Sequence, residues 1–146
     1  MSIENLIITP LKKIVDERGS LLHMLRADSP QFTKFGEVYF STINPGVIKG
    51  WKLHTLMTQN YAVPVGEIKL VIYDVRENSS SKGQIQELSL SLENYQLVTI
   101  PPGVWYAFKA TSDNSAMIVN CTDLSHDPSE SQNLDLNSED IPYKWE

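Results

Sequence analysis

Gly50-Trp51-Lys52-Leu53-His54-Thr55-Leu56-Met57-Thr58-Gln59-Asn60-Tyr61-Ala62-Val63-Pro64-Val65-Gly66 decides the fold. In its first half the apolar Trp51 and Leu53 alternate with Lys52 and His54, a period of two that puts the two kinds of side chain on opposite faces of a strand. Its second half, from Gln59 to Val65, is a mostly apolar run that stops at the turn sequence Pro64-Val65-Gly66. The stretch therefore reads as two successive strands. The same grammar spreads outward: short runs rich in Val, Ile, Tyr, Phe, Thr and Leu are broken by Gly, Pro, Asn or Ser. Strands are expected near residues 5–14, 20–26, 37–43, 47–55, 58–65, 67–74, 84–90, 96–100, 104–110 and 115–121. Asn44-Pro45-Gly46 and Pro101-Pro102-Gly103 mark turns, and Glu77 to Gly83 a polar loop. No segment shows sustained helical periodicity, and only Asp127-Pro128-Ser129-Glu130 invites a short helical turn. So many strands and no helix predict an all-β sandwich or barrel.

A chain of 146 residues, 41% hydrophobic and 21% charged, suits one globular domain and excludes collagen-like or wholly disordered readings. No apolar run approaches the roughly 20 residues of a membrane helix, and the start carries no basic and apolar leader pattern. With Cys121 alone no internal disulfide forms, so a reducing, cytoplasmic setting is expected. The net charge of -6 sits in residues 122–146, where seven acids face the single base Lys144. The rest is balanced and offers no basic footprint for nucleic acid. The expected organisation is a domain over residues 1–121 and an acidic tail, 122–146, packed on its surface and ending at the apolar anchor Ile141-Pro142-Tyr143-Lys144-Trp145.

The stretch from Gly50 to Gly66 resembles the first motif of the cupins, whose His-x-His, Glu and Gly positions fall here on Lys52, His54, Gln59 and Gly66. The second cupin motif falls on Pro101, Gly103 and Tyr106. The resemblance implies a double-stranded β-helix, the cupin jelly roll. It also implies that the ligands are replaced: one imidazole, a lysine, an amide and a phenol make a poor metal set, so no metal and no cofactor is expected.

Within the cupins the chain is similar to the dTDP-4-dehydrorhamnose 3,5-epimerases over most of its length. The likeness rests on Asp16-Glu17-Arg18-Gly19, on Ser41 ahead of Lys49-Gly50, and on Val65-Gly66-Glu67. It continues through Tyr73-Asp74-Val75-Arg76 and through Ile100-Pro101-Pro102-Gly103 with Phe108 beyond. That family implies a metal-independent epimerase or isomerase of a nucleoside-diphosphate 4-keto-6-deoxysugar, serving surface polysaccharide synthesis, and a homodimer that exchanges N-terminal strands. The family's catalytic histidine falls on Lys52, its enolate-stabilising lysine on Gln59, its acid tyrosine near Leu124 and its phosphate-gripping arginine on Lys49. Related 3,4-ketoisomerases keep a histidine where His54 stands. A non-catalytic cupin that binds a nucleotide sugar or another metabolite is the rival reading, and a metal-dependent cupin a third.

The expected catalytic residues are His54, Lys52 and Tyr106. An imidazole, as a side-chain type, can change protonation in the physiological range, which suits proton transfer at position 54. Lys52 shares its strand face and serves either as a desolvated base or as a cation for an enolate. A phenol at 106 would donate a proton to the enolate oxygen. Arg18, Lys49, Gln59, Tyr61, Asp74 and Trp105 are expected to hold substrate, with Asp74 also placed to orient His54 or Lys52. Plainer readings stand beside these: a lysine at the rim, a hydrogen-bonded barrel histidine, core packing for Tyr61 and Tyr106, a strand-end Asp74–Arg76 pair, and an indole at 105 that fills space.

Overall fold

Apolar runs closed off by turn residues become strands because each can bury one face and pair its backbone sideways. The computed structural model describes residues 2–146. It contains β1 (Ile7–Pro10), β2 (Lys13–Asp16), β3 (Gly19–Leu22), β4 (Glu37–Ile43), β5 (Ile48–His54) and β6 (Gln59–Val65). These are followed by β7 (Glu67–Asp74), β8 (Ile85–Ser91), β9 (Gln96–Ile100), β10 (Val104–Ala110) and β11 (Ala116–Thr122), then a 3-10 turn (Pro128–Glu130) and β12 (Ser131–Asn133). One five-stranded antiparallel sheet has the order β1-β9-β6-β11-β4, and the other β12-β5-β10-β7-β8, with β2 and β3 a separate hairpin. The single domain is all-β, a jelly roll of two facing sheets.

The main core lies between the sheets. Ile43, Val63, Val98 and Ile118 from the first meet Ile68, Leu70, Leu90 and Phe108 from the second. A second apolar cluster covers the outer face of the second sheet, where Trp51, Leu53, Val71, Trp105 and Ala107 pack against Ile141. The C-terminal segment is therefore more than a surface tail. Ile141 is buried, Tyr143 stands edge-on to Trp51 with ring centroids 6.1 Å apart, and the Lys69 ammonium lies 5.2 Å from the centre of the Trp145 ring.

Two further differences from the expected strands are local. The run expected over 5–14 is two strands, β1 in the first sheet and β2 in the separate hairpin. The Leu11 amide still bonds the Tyr95 carbonyl in the β1–β9 register, and only beyond it does the chain leave that sheet for the β2–β3 hairpin. β12, built from Ser131-Gln132-Asn133, has no alternating apolar signal. It forms because the edge of β5 offers it unpaired backbone groups.

Candidate active site

The backbone of β5 creates the site through one irregularity. Tyr106 of β10 lies opposite Lys52, but Ala107 lies opposite Gly50, so Trp51 is an extra residue bulged out of the ladder. The bulge resets the alternation. Lys52 faces inward two residues before His54, and Lys49, opposite Phe108, faces inward as well despite its odd spacing. Gly50 permits the approach: its φ is +142°, and a Cβ there would sit 2.3 Å from that of Ala107.

At the inner end of β5 the chain assembles a line of three buried titratable groups. His54 Nδ1 donates to Glu130 Oε1, and Glu130 Oε2 accepts the amides of Leu56 (3.1 Å) and Met57 (3.2 Å). Burial pushes the Glu130 carboxyl up. The bonds from His54 and the two amides outweigh it and hold the group below the ordinary glutamate value, as a carboxylate. With its proton on Nδ1 facing the carboxylate, the ring is left with Nε2 to accept the Tyr106 hydroxyl at 3.1 Å. Burial foremost, with the nearby Tyr39 phenol, raises Tyr106 well above an ordinary phenol, against the lowering influence of Tyr61 and Gln59. The Tyr106 hydroxyl therefore keeps its proton.

Between the sheets opens a cavity of about 260 Å³. Lys49, Lys52, Tyr61 and Tyr106 line it, joined by Tyr39 and Asn133. Lys49 Nζ is anchored at 2.9 Å on the Thr42 carbonyl of β4. On the opposite wall Asn120 Nδ2 donates to the Tyr39 hydroxyl (2.9 Å) and to Gln59 Oε1 (3.0 Å). A divalent cation does not fit this set. The described residues contain no group of three His, Cys, Asp or Glu side chains placed to hold a metal ion, both ring nitrogens of His54 are engaged, and the charged groups on the cavity wall are the cationic Lys49 and Lys52.

Of the residues expected from sequence, the structure brings together Lys49, Lys52, His54, Tyr61 and Tyr106. Gln59 lies behind the wall, almost wholly buried, where it holds Asn120 rather than facing the cavity. Three residues lie elsewhere. Trp105, opposite Leu53, belongs to the cluster under the C-terminal segment, because its position in β10 has the parity of the outer face. Asp74 is fully buried at the end of β7. It accepts from Arg76 Nε (2.9 Å), Ser79 Oγ (2.6 Å) and Ser81 Oγ (2.6 Å) and does not touch His54 or Lys52. Arg18 sits at the tip of the β2–β3 hairpin, its side chain 84% exposed and paired with Asp16, outside this chain's own cavity.

Sequence reasoning missed Glu130, Asn133 and Tyr39. Glu130 was hidden among the acids of the tail, although a lone motif imidazole asks for a carboxylate partner. Its local signal was Asp127-Pro128: the Asp127 side chain caps the 3-10 turn by accepting the Ser129 amide at 3.0 Å, and the turn delivers Glu130 inward. Tyr39 was legible as the position two before Ser41 on one face of β4.

The chain resembles known proteins over nearly its whole length. The sequence profile described as dTDP-4-dehydrorhamnose 3,5-epimerase matches residues 1–146. The spore coat polysaccharide biosynthesis protein SpsL of Bacillus subtilis (strain 168) is 28% identical over 145 residues, covering 98% of this chain and 96% of the relative. The dTDP-4-dehydrorhamnose 3,5-epimerase of Methanothermobacter thermautotrophicus is 31% identical, covering 99% of this chain and 80% of the relative. The crystal structure of a dTDP sugar isomerase from Desulfovibrio desulfuricans G20 superposes with a TM-score of 0.95 at 47% identity, covering 98% of this chain and 92% of that one.

Proposed function

The chain belongs to the dTDP-4-dehydrorhamnose 3,5-epimerase family of sugar-nucleotide enzymes, and from that premise we propose that it enolises a nucleoside-diphosphate 4-keto-6-deoxysugar without a metal, as an epimerase or isomerase. The observation that carries the reading is the buried line Glu130–His54–Tyr106 ending at a cavity beside Lys52.

Moving a proton beside a ketone needs an acceptor for the carbon-bound proton and a positive charge for the enolate oxygen. The His54 pair supplies basicity, because Glu130 stabilises an imidazolium as it forms. Lys52, opposite Tyr106 on the same wall, supplies the charge. The cavity is small for a whole nucleotide sugar, since ligand pockets usually run from about 300 Å³ upward. The sugar fits inside and the diphosphate lies at the mouth, near Lys49. Surface polysaccharide synthesis is the setting this chemistry suggests, and SpsL, named for spore coat polysaccharide, supports it. The reducing setting suggested by the lone cysteine fits a cytoplasmic step.

The same reading includes a homodimer. The hairpin exposes Ile14, Val15 and Leu21, and β4, an unpaired sheet edge, exposes Val38 and Phe40. Pairing these surfaces covers both and brings Arg18 toward the partner's cavity, as a second cation for the diphosphate.

Proton NMR of dTDP-4-keto-6-deoxyglucose in D2O tests the proposal. Faster loss of the C3 or C5 signal than in an enzyme-free control is expected, and the product spectrum separates epimerisation from ketoisomerisation. Binding without exchange would leave a binding protein and sink the enzymatic reading of this site.

A further inference from the structure

Both ring nitrogens of His54 are already engaged, Nδ1 with Glu130 and Nε2 with the Tyr106 hydroxyl. The ring lies nearly parallel to that of Tyr106, with centroids 5.9 Å apart and planes at 13°. It is Tyr106, not His54, that lines the cavity. A substrate carbon inside the cavity therefore meets the phenol first.

We infer that the group which takes and returns the carbon-bound proton is the Tyr106 phenol oxygen, with His54 and Glu130 acting through it as positioning residues. This deepens the proposed enolisation and rests on it. In the forward step the substrate C–H bond breaks and its electron pair becomes the enolate. Tyr106 oxygen bonds the departing proton while its own proton passes to His54 Nε2, and the imidazolium so formed is held by the Glu130 carboxylate. Exact reversal returns the proton to the same carbon and gives only exchange with D2O. For net isomerisation Tyr106 delivers it to the neighbouring carbon of the enediol, His54 Nε2 returns its proton to the phenol oxygen and the hydroxyl proton moves from one sugar oxygen to the other, so no proton or electron pair is gained or lost.

The arrangement has the logic of a serine–histidine–aspartate triad with a phenol in the outer place. It also explains how a phenol that holds its proton so firmly can act near neutrality. Free phenolate is scarce there, but a transfer concerted with His54 never requires it. Lys52, directly across the ladder from Tyr106, remains the cation beside the enolate oxygen.

The test measures deuterium uptake by dTDP-4-keto-6-deoxyglucose in D2O against pH for the full-length wild type, Tyr106→Phe and His54→Gln. dTDP affinity by calorimetry and circular dichroism report the integrity of each variant. Tyr106→Phe is expected to bind dTDP normally and lose exchange by about 10² to 10⁴-fold, the span of general acid–base catalysis. His54→Gln is expected to keep a slow exchange that climbs with pH, because the phenol must then ionise unaided, whereas the wild type, which does not pass through free phenolate, lacks that climb. Exchange in Tyr106→Phe within about threefold of the wild type, with loss in His54→Gln, means that His54 meets the substrate directly and overturns the inference alone. A His54→Gln profile parallel to the wild type also overturns it, since His54 is then only structural. A wild type that binds without exchanging overturns the inference together with the function beneath it. Should Tyr106→Phe fail to fold, the His54→Gln profile decides.

Discussion

Glu130, 76 residues beyond His54 in the chain, binds the imidazole Nδ1 with one carboxylate oxygen and the amides of Leu56 and Met57 with the other. The pair locks the C-terminal turn onto β5 and sets which ring nitrogen is free to serve Tyr106. On the proposed mechanism, stability and chemistry both depend on this one carboxylate.

The pH dependence of that carboxylate has a definite sign. Its folded value lies below the unfolded one, so its contribution to stability is complete above the ordinary glutamate range and is lost as pH falls through the depressed folded value. Thermal melts between pH 3 and 7 should show a smaller acid-side loss in Glu130→Gln than in the wild type. The variant should also lose about 10² or more in kcat, as misorienting the base does in other triads. Equal acid-side slopes in the two proteins would refute the assignment.

Lys52→Met removes the charge but keeps the stem length. If Lys52 faces a developing enolate, kcat should fall by about 10² to 10³-fold with little change in KM, the pattern of an interaction made in the transition state. A rise in KM with kcat preserved would instead make Lys52 a ground-state binding group. Steady-state kinetics on the 4-keto sugar nucleotide distinguishes the two.

Gly50→Ala should be costly far beyond its size. The new Cβ would sit 2.3 Å from the Ala107 Cβ and 2.7 Å from its Cα, and the φ of +142° is strained for any L side chain. A loss of about 3 kcal/mol is expected from overpacking and strain together. Urea unfolding would show it, and a loss under 1 kcal/mol, roughly the ordinary helix or strand penalty of a surface change, would mean that the bulge relaxes easily.

Asp74→Asn separates stability from catalysis. Burial raises the Asp74 carboxyl, but hydrogen bonds from Arg76, Ser79 and Ser81 outweigh that and hold it well below the ordinary aspartate value. Its stabilising contribution is therefore present above the unfolded value and lost at lower pH. Breaking this buried pair should cost about 3 kcal/mol by denaturation while the kcat of the folded fraction stays at the wild-type value. A selective loss of kcat would return Asp74 to the active site.

Arg18→Ala tests the dimer. Its side chain is exposed, so the monomer's stability should not change, yet KM for the nucleotide sugar should rise if the partner's cavity uses it. Sedimentation at micromolar concentration supplies the companion reading, and a monomer with unchanged KM would remove Arg18 from the site.

The sequence by itself determined the strands and the frame. Alternation on β5 put Lys52 and His54 on one face, and turn residues bounded most strands, because period and punctuation are local properties of the chain. Tertiary structure decided what that face meets. The same alternation carried Trp105 outward under Ile141, and the bulge at Trp51 brought Lys49 inward against simple parity. Asp74 satisfied itself with the neighbouring loop, while Glu130 came from an acidic segment to take the partner's place beside His54. A buried imidazole needs a carboxylate, but which acid in the chain fills that need is settled only when sheet pairing closes the distance between residues 76 positions apart.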